Sequence, residues 1–96
     1  MASFQQFINI FFNMKQRIEK TLTENLKPQF LEVKNNSHLH AGHAGDNGTN
    51  ETHFSVEIQA EGMSQLSKIS AHRKINQLLK EEFEKGLHAL EIKIYN

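Results

Sequence analysis

The chain has 96 residues, 38% of them hydrophobic, which is enough for one modest core and leaves no room for a second domain. Eleven basic residues balance eleven acidic ones, which argues against a protein built mainly to coat a phosphate backbone but not against a local basic face. The absence of cysteine excludes a disulfide framework, a thiol nucleophile and any metal site completed by the chain's own thiolates. Six histidines are the remaining borderline-soft ligands, and four of them lie between positions 38 and 53.

The first thirteen residues are predicted to form an N-terminal extension to a domain that covers 14–96. Residues 4–12 are apolar but short, interrupted by polar side chains and followed by no small-residue cleavage site. We therefore expect neither a secretory signal nor a membrane span. The first eighteen residues lack acidic side chains, which leaves open the alternative that they are the remnant of an organellar presequence. A bacterial cytoplasm is the expected location, with a mitochondrial matrix as the alternative.

The first predicted elements are a helix and a strand. Four apolar residues recur at four-residue steps, as on one face of a helix: Met14, Ile18, Leu22 and Leu26. Pro28 then ends the helix because proline cannot donate to a continuing ladder. Residues 30–34 alternate apolar with charged side chains, and this alternation predicts a half-buried strand.

A polar run from 35 to 52, rich in glycine, asparagine and histidine, predicts a long loop. A second strand follows, with Phe54, Val56 and Ile58 on one face. The next helical region extends from about 64 to 85, and its predicted buried stripe is Ile69, His72, Asn76, Leu79 and Phe83. On this stripe we interpret His72 as a buried imidazole bonded to the backbone.

The last strand is predicted at 88–94, with His88 on the same face as Leu90, Ile92 and Ile94. The predicted fold class is α+β in the order αββααβ, with a three-stranded mixed sheet. Strands one and two pair antiparallel, and the third follows a helical crossover and so lies parallel to its neighbour. The helices cover one face of the sheet and leave the other in solvent.

The histidines permit two interpretations from spacing alone. His38, His40 and His43 lie close enough to converge on a metal where the loop bends, yet a polar loop with incidental histidines is the more common case. His88 is either a core-edge residue or a ligand that its strand immobilises. His53 has the opposite parity to Phe54, so we expect it to face solvent without a role.

Four sequence blocks, in this order, resemble the BolA family: SHLHAGHAG at 37–45, ETHF at 51–54, HRKIN at 72–76 and GLHAL at 86–90. The similarity extends over roughly 22–94, nearly the whole domain. The resemblance implies a fold similar to a type II KH domain and a non-enzymatic partnership with monothiol glutaredoxins. In such heterodimers a [2Fe–2S] cluster is held by the glutaredoxin cysteine, a glutathione thiol and two residues of the BolA-like protein. Matched to this sequence, those two residues are His88 and the loop residue His40, with His38 and His43 as rivals.

The alternative function is that of a nucleic-acid-binding regulator, which would use Lys68, Arg73, Lys74 and the open sheet face. This chain has Met63-Ser64-Gln65 where family members usually carry Phe-x-Gly, and it lacks the Gly-x-x-Gly phosphate clamp of KH domains. We expect no enzyme, because the sequence contains no nucleophile–base constellation and no phosphate-binding glycine loop. We further expect no membrane partner, and a monomer or a heterodimer in solution.

Overall fold

The computed structural model describes residues 12–40 and 50–96. Within these ranges the chain forms an α+β domain with a three-stranded sheet, which confirms the predicted class. Its elements are α1 (Met14–Leu26), β1 (Phe30–Asn35), a 3-10 helix (Ser37–His40), β2 (His53–Gln59), α2 (Glu61–Ser64), α3 (Lys68–Leu78), α4 (Lys80–Glu84) and β3 (Ala89–Tyr95). The predicted domain boundary after residue 13 stays a prediction, because residues 1–11 lie outside the described ranges.

Helix α1 has a sequence-encoded start and end. The Asn13 side chain accepts a hydrogen bond from the Gln16 backbone, and the Gln16 side chain accepts one from the Asn13 backbone, which together form a capping box. Lys27 ends the helix in the left-handed region, with φ of 45°, directly before Pro28. The predicted apolar face of α1 is fully buried, as expected from its four-residue spacing.

The sheet has the order β1-β2-β3. Strand β2 pairs antiparallel with β1, with Val33 opposite Val56, and parallel with β3, with Val56 opposite Ile92. Both pairings were predicted from the order of the elements. The inward side chains of the central strand contact the helices and form the core, whereas residues such as Glu32 and Lys93 stay exposed on the open face.

The helical region between β2 and β3 differs from its prediction in which side it buries. The buried residues of α3 are Ala71 and Ile75, and Ile69 is 66% exposed. His72 is half-buried and Asn76 is exposed, so the predictions of their burial were wrong. Apolar residues surround α3 on more than one side, and the spacing alone therefore fits two stripes. Packing against the sheet selected the stripe through Ala71 and Ile75.

The second helical region also contains a buried ion pair with the first helix. Arg17 is bonded through its guanidinium to both carboxylate oxygens of Glu82 at 2.9–3.1 Å, and it donates to the Phe12 carbonyl at 2.6 Å. Both side chains of the pair are about nine-tenths buried or more. No described helix is long and apolar enough to span a membrane.

Candidate metal-ligand site at the start of the third strand

Ser37 joins the end of the β1 segment to the start of β2. Its hydroxyl accepts hydrogen bonds from the backbone N–H groups of Thr52 and His53, at 2.9 and 3.0 Å, and donates to the His53 carbonyl at 3.3 Å. The Ser37 side chain is buried, so these backbone groups have no access to water in place of it. One hydroxyl therefore closes the base of the histidine loop.

Thr52 extends this arrangement to the third strand. Its carbonyl accepts from the backbone N–H of His88 at 2.8 Å and of Ala89 at 3.1 Å. Thr52 is completely buried, and the preceding Glu51 accepts from the Met14 backbone at the N-terminus of α1. The backbone at His88 is therefore held in place by the same short segment that Ser37 holds.

His53 is part of this arrangement, which corrects the prediction that it faces solvent without a role. Its side chain is 8% exposed, and its Nδ1 lies 2.8 Å from the Thr52 hydroxyl. Its ring centroid lies 5.5 Å from that of His88. Alternation along a strand describes only the two faces of the sheet. At the first residue of β2, Ser37 holds the backbone of His53, and the Thr52 hydroxyl and the His88 ring lie beside its side chain.

His88 itself is exposed. It directly precedes β3, and the prediction that it lies where the strand meets solvent is confirmed. Its backbone N–H is fixed by Thr52, and its ring lies beside the buried His53 ring. An accessible imidazole on a fixed backbone needs little ordering before it binds a metal. Its role as a ligand stays a prediction.

The loop histidines are described only in part. His38 is exposed, and His40 is the last residue of the 3-10 helix, three residues from the buried Ser37. His43 lies outside the described residues. Within the described ranges, no three histidine, cysteine or carboxylate side chains converge on one point as a complete metal site would require.

The donor set fits a shared cluster better than a site of the chain's own. His88 is an accessible imidazole, and neutral imidazoles replace two thiolates on one iron in known [2Fe–2S] centres. With no cysteine in the chain, the thiolates that stabilise ferric iron have to come from other molecules. His88 would be an accessible imidazole ligand from this chain, and the thiolate ligands would be external.

The basic residues that were predicted to contact nucleic acid lie on α3, away from the histidine site. Lys68, Arg73 and Lys74 are all exposed on α3. A groove of about 530 Å³ runs between α2, α3 and β3, and Lys68 and His72 line it together with Ile92 and Ile94. Because the groove reaches Asn96, it lies at the end of β3 opposite to His88. The structure does not bring the basic residues and the histidine site together.

The elements and their pairing define a small α+β domain with one three-stranded mixed sheet, and an exposed histidine directly precedes its last strand. The family described as BolA-like protein matches residues 22–96 of the chain. The chain therefore belongs to the BolA family, as the four sequence blocks predicted.

The comparisons with individual proteins agree with this assignment. The chain is 44% identical to the UV-induced protein uvi31 of Schizosaccharomyces pombe, over 81% of this chain and 79% of that protein. It is 37% identical to the DNA-binding transcriptional regulator BolA of Vibrio cholerae, over 81% of this chain and 70% of that protein. The structure of BolA1 from Arabidopsis thaliana superposes with a TM-score of 0.77 and 38% identity, covering 88% of this chain and 92% of that one. The BolA domain of SufE1 from the same plant also gives a TM-score of 0.77, with 37% identity over the same shares.

Proposed function

We propose that this chain is a non-enzymatic partner of a monothiol glutaredoxin and co-ligates a [2Fe–2S] cluster through histidines, in iron–sulfur trafficking or iron regulation. The observation that carries the proposal is the His88 site: an exposed imidazole, on a backbone fixed by the buried Thr52, beside a second, buried imidazole. The thiolates would come from the glutaredoxin and from glutathione.

A shared role is supported because the described residues by themselves do not form a complete metal site. His88 is exposed to an approaching partner, whereas His53 is buried and its Nδ1 is engaged with Thr52. A ligand that is ordered before binding costs less side-chain entropy when the complex forms. In this proposal His88 is the dominant ligand, and His53 supports the position of its ring.

His40 is the second proposed ligand. Its backbone belongs to the 3-10 helix that begins at Ser37, and Ser37 is bonded directly to the backbone of His53. One end of the histidine loop is thus attached to the site. His38 and His43 remain rivals for this position, and substitution of any one of the three should have a smaller effect than substitution of His88.

The test is reconstitution with a glutathione-loaded monothiol glutaredoxin under anaerobic conditions, followed by absorption and circular dichroism spectra. The wild-type complex should show charge-transfer bands that differ from those of the glutaredoxin alone. His88→Ala should abolish this difference, and His40→Ala should reduce it. His72→Ala is the matched control, since His72 lies in the groove at the other end of β3.

Two results would contradict the proposal. One is a wild-type mixture whose spectrum equals that of the glutaredoxin alone. The other is a His88→Ala complex with unchanged bands. Native mass spectrometry of the apo mixture separates loss of the ligand from loss of the partner, because His88→Ala should leave any cluster-free heterodimer intact.

A second candidate function is nucleic-acid binding, favoured by the relatives named as DNA-binding transcriptional regulators in Vibrio cholerae and Haemophilus influenzae. Lys68, Arg73 and Lys74 would supply phosphate contacts from α3. Exposed Glu81 and Glu84 follow on α4 and weaken the local positive potential. Binding of duplex DNA should then fall steeply with salt, and Arg73→Gln/Lys74→Gln should reduce the logarithmic salt slope by about 2. A flat salt response would exclude this function.

The location is also a proposal, and the relatives are compatible with both alternatives. Relatives include bacterial regulators and an Arabidopsis protein described as chloroplastic, which is 40% identical over 83% of this chain. We propose a bacterial cytoplasm, with an organelle of bacterial origin, such as the mitochondrial matrix, as the alternative.

A further inference from the structure

Strand β3 presents an open backbone edge. It pairs with β2 on one side, and no described strand lies on its other side. The N–H of Ala89 points to β2, where it donates to Thr52. Successive residues of a strand direct their backbone groups to opposite sides, so the N–H and C=O groups of Leu90, Ile92 and Ile94 point to the open edge. Such an edge is a template for another strand.

The charges on β3 are self-complementary in one register. Glu91 and Lys93 are exposed on the open face of the sheet, on either side of Ile92. If a second β3 pairs antiparallel about Ile92, Glu91 lies directly opposite Lys93 of the second copy, twice by symmetry. Opposite charges at directly facing positions stabilise a strand pair.

The neighbouring registers are excluded by the same residues. A shift that centres the pair on Glu91 places two glutamates opposite each other, and a shift to Lys93 places two lysines opposite each other. Both arrangements are destabilising. In all three registers the outward backbone groups of the two copies can meet as hydrogen-bonded pairs, but the register about Ile92 alone among them uses all seven residues of the strand.

The side chains on the helix-facing side of β3 are less completely covered than those of β2 within one copy. Ile92 and Ile94 are partly buried against the core, whereas their register partners on β2, Val56 and Ile58, are 0% exposed. Both isoleucines line the groove of about 530 Å³ between β3 and helices α2 and α3. The corresponding side chains of a second copy would lie beside this groove and reduce its contact with water.

We propose that two copies of this chain associate through antiparallel pairing of their β3 strands about Ile92, forming one continuous six-stranded sheet. The interface is isologous, because each residue contacts the residue related to it by the two-fold axis. The proposal is independent of the cluster function and uses a different surface from the His88 ring. A lysine alone on an edge strand discourages pairing, but Glu91 two residues earlier makes this edge selective for its own sequence.

The first test measures the mass of the purified chain by sedimentation equilibrium over about two decades of concentration. The wild type should show a monomer–dimer equilibrium that weakens as salt rises, since the facing charges are exposed. Glu91→Lys and Lys93→Glu should each weaken dimerisation about tenfold or more, because each creates two like-charge pairs. An equimolar mixture of the two variants should dimerise again, because its facing charges are opposite. Lys74→Glu, on the exposed side of α3, is the control and should leave dimerisation unchanged.

The second test uses the absence of cysteine in the chain. Directly opposed residues in this register have Cα atoms about 4.5 Å apart, within the range of a disulfide. A mixture of the Glu91→Cys and Lys93→Cys chains should therefore crosslink under mild oxidation much faster than either chain alone. Thermal unfolding of each variant verifies that the fold is retained.

The results that overturn the proposal are specific. A wild-type chain that stays monomeric over the whole concentration range overturns it, and the edge is then left for a different partner. A dimer whose affinity is unaffected by both charge reversals places the interface elsewhere. Equal crosslinking of the mixture and of either single-cysteine chain excludes this register.

Discussion

The two neighbouring strands β2 and β3 carry similar inward side chains but bury them very differently. Val56 and Ile58 on β2 are completely buried, and their register partners Ile92 and Ile94 on β3 are only partly buried. The central strand has a strand on each side and helices above it, whereas β3 has one neighbour among the described strands. We therefore expect β2 to contribute more to the folding stability than β3.

The helical layer that packs on the sheet contains a buried ion pair, whose burial removes two charges from water. Arg17 and Glu82 are both buried, and their carboxylate–guanidinium contact joins α1 to α4. Such a pair is weak evidence for net stability, because removing two charges from water offsets much of their attraction. Removing either partner alone nevertheless destabilises the fold, because the other charge stays buried without a countercharge.

The largest expected effect concerns this ion pair. Arg17→Met should lower the free energy of unfolding by about 3–5 kcal/mol, because the Glu82 carboxylate is left buried without a countercharge. Arg17→Met/Glu82→Leu should recover most of that loss, since no unpaired charge remains. Urea denaturation of the wild type, both single variants and the double variant measures the coupling. A single variant that loses less than about 1 kcal/mol would show that water solvates the remaining charge.

The next effect compares matched isoleucines on the two strands. Ile58→Ala should cost about 2–5 kcal/mol, because it leaves a cavity in the closed core. Ile94→Ala should cost about 1 kcal/mol in the monomer, because its side chain is only partly buried and a smaller apolar area is lost from the core. Denaturation at low protein concentration, where association does not contribute, measures both values. Equal costs for the two substitutions would contradict the expectation that β2 contributes more to the core than β3.

Ser37→Ala tests the polar contacts at the start of β2. It leaves the backbone N–H groups of Thr52 and His53 without their acceptor and should cost about 1–3 kcal/mol. Ser67→Ala, which removes the helix cap on the Ser70 N–H and an exposed hydrogen bond to the Ser70 hydroxyl, is the matched serine control and should cost about 1 kcal/mol. If Ser37→Ala costs no more than this control, the hydroxyl is replaceable by water. Amide exchange at Thr52 and His53 locates the effect, because both should lose protection in Ser37→Ala.

The smallest effect on stability is expected at His72, which lines the groove beside β3. His72 is half-buried and lines the groove, so His72→Ala should change the free energy of unfolding by less than about 1 kcal/mol. His53→Ala, which removes a buried ring and leaves the Thr52 hydroxyl without its partner, should cost more. The pair of variants is compared by thermal and urea unfolding. The reverse order would restore the original interpretation of His72 as a core residue.

Local pattern predicted the first helix, the three strands and their pairing, but it missed the 3-10 helix at Ser37–His40 and the division of the second helical region into three helices. The spacing of Met14, Ile18 and Leu22 predicted α1, and the alternation around Val56 predicted β2. The helical connection then required β3 to lie parallel to it. The family blocks identified His88, and the structure agrees that it stands exposed at the start of a strand. The helix and the strands depend on periodicity within a few residues, which is readable from the chain, whereas the parallel pairing followed from the connection rule and His88 from the family resemblance.

Tertiary structure decided which faces are buried and which distant side chains meet. His53 belongs by parity to the open face of the sheet, yet it is buried, with its backbone bonded to Ser37, 16 positions earlier, and its ring beside that of His88, 35 positions later. The stripe of α3 that reaches the core passes through Ala71 rather than His72, because the sheet sets the rotation of the helix when several stripes are apolar. The Arg17–Glu82 pair, separated by 65 residues, has no local signature at all. Contacts of this kind are fixed by the three-dimensional path of the backbone, and periodicity along the chain contains no information about them.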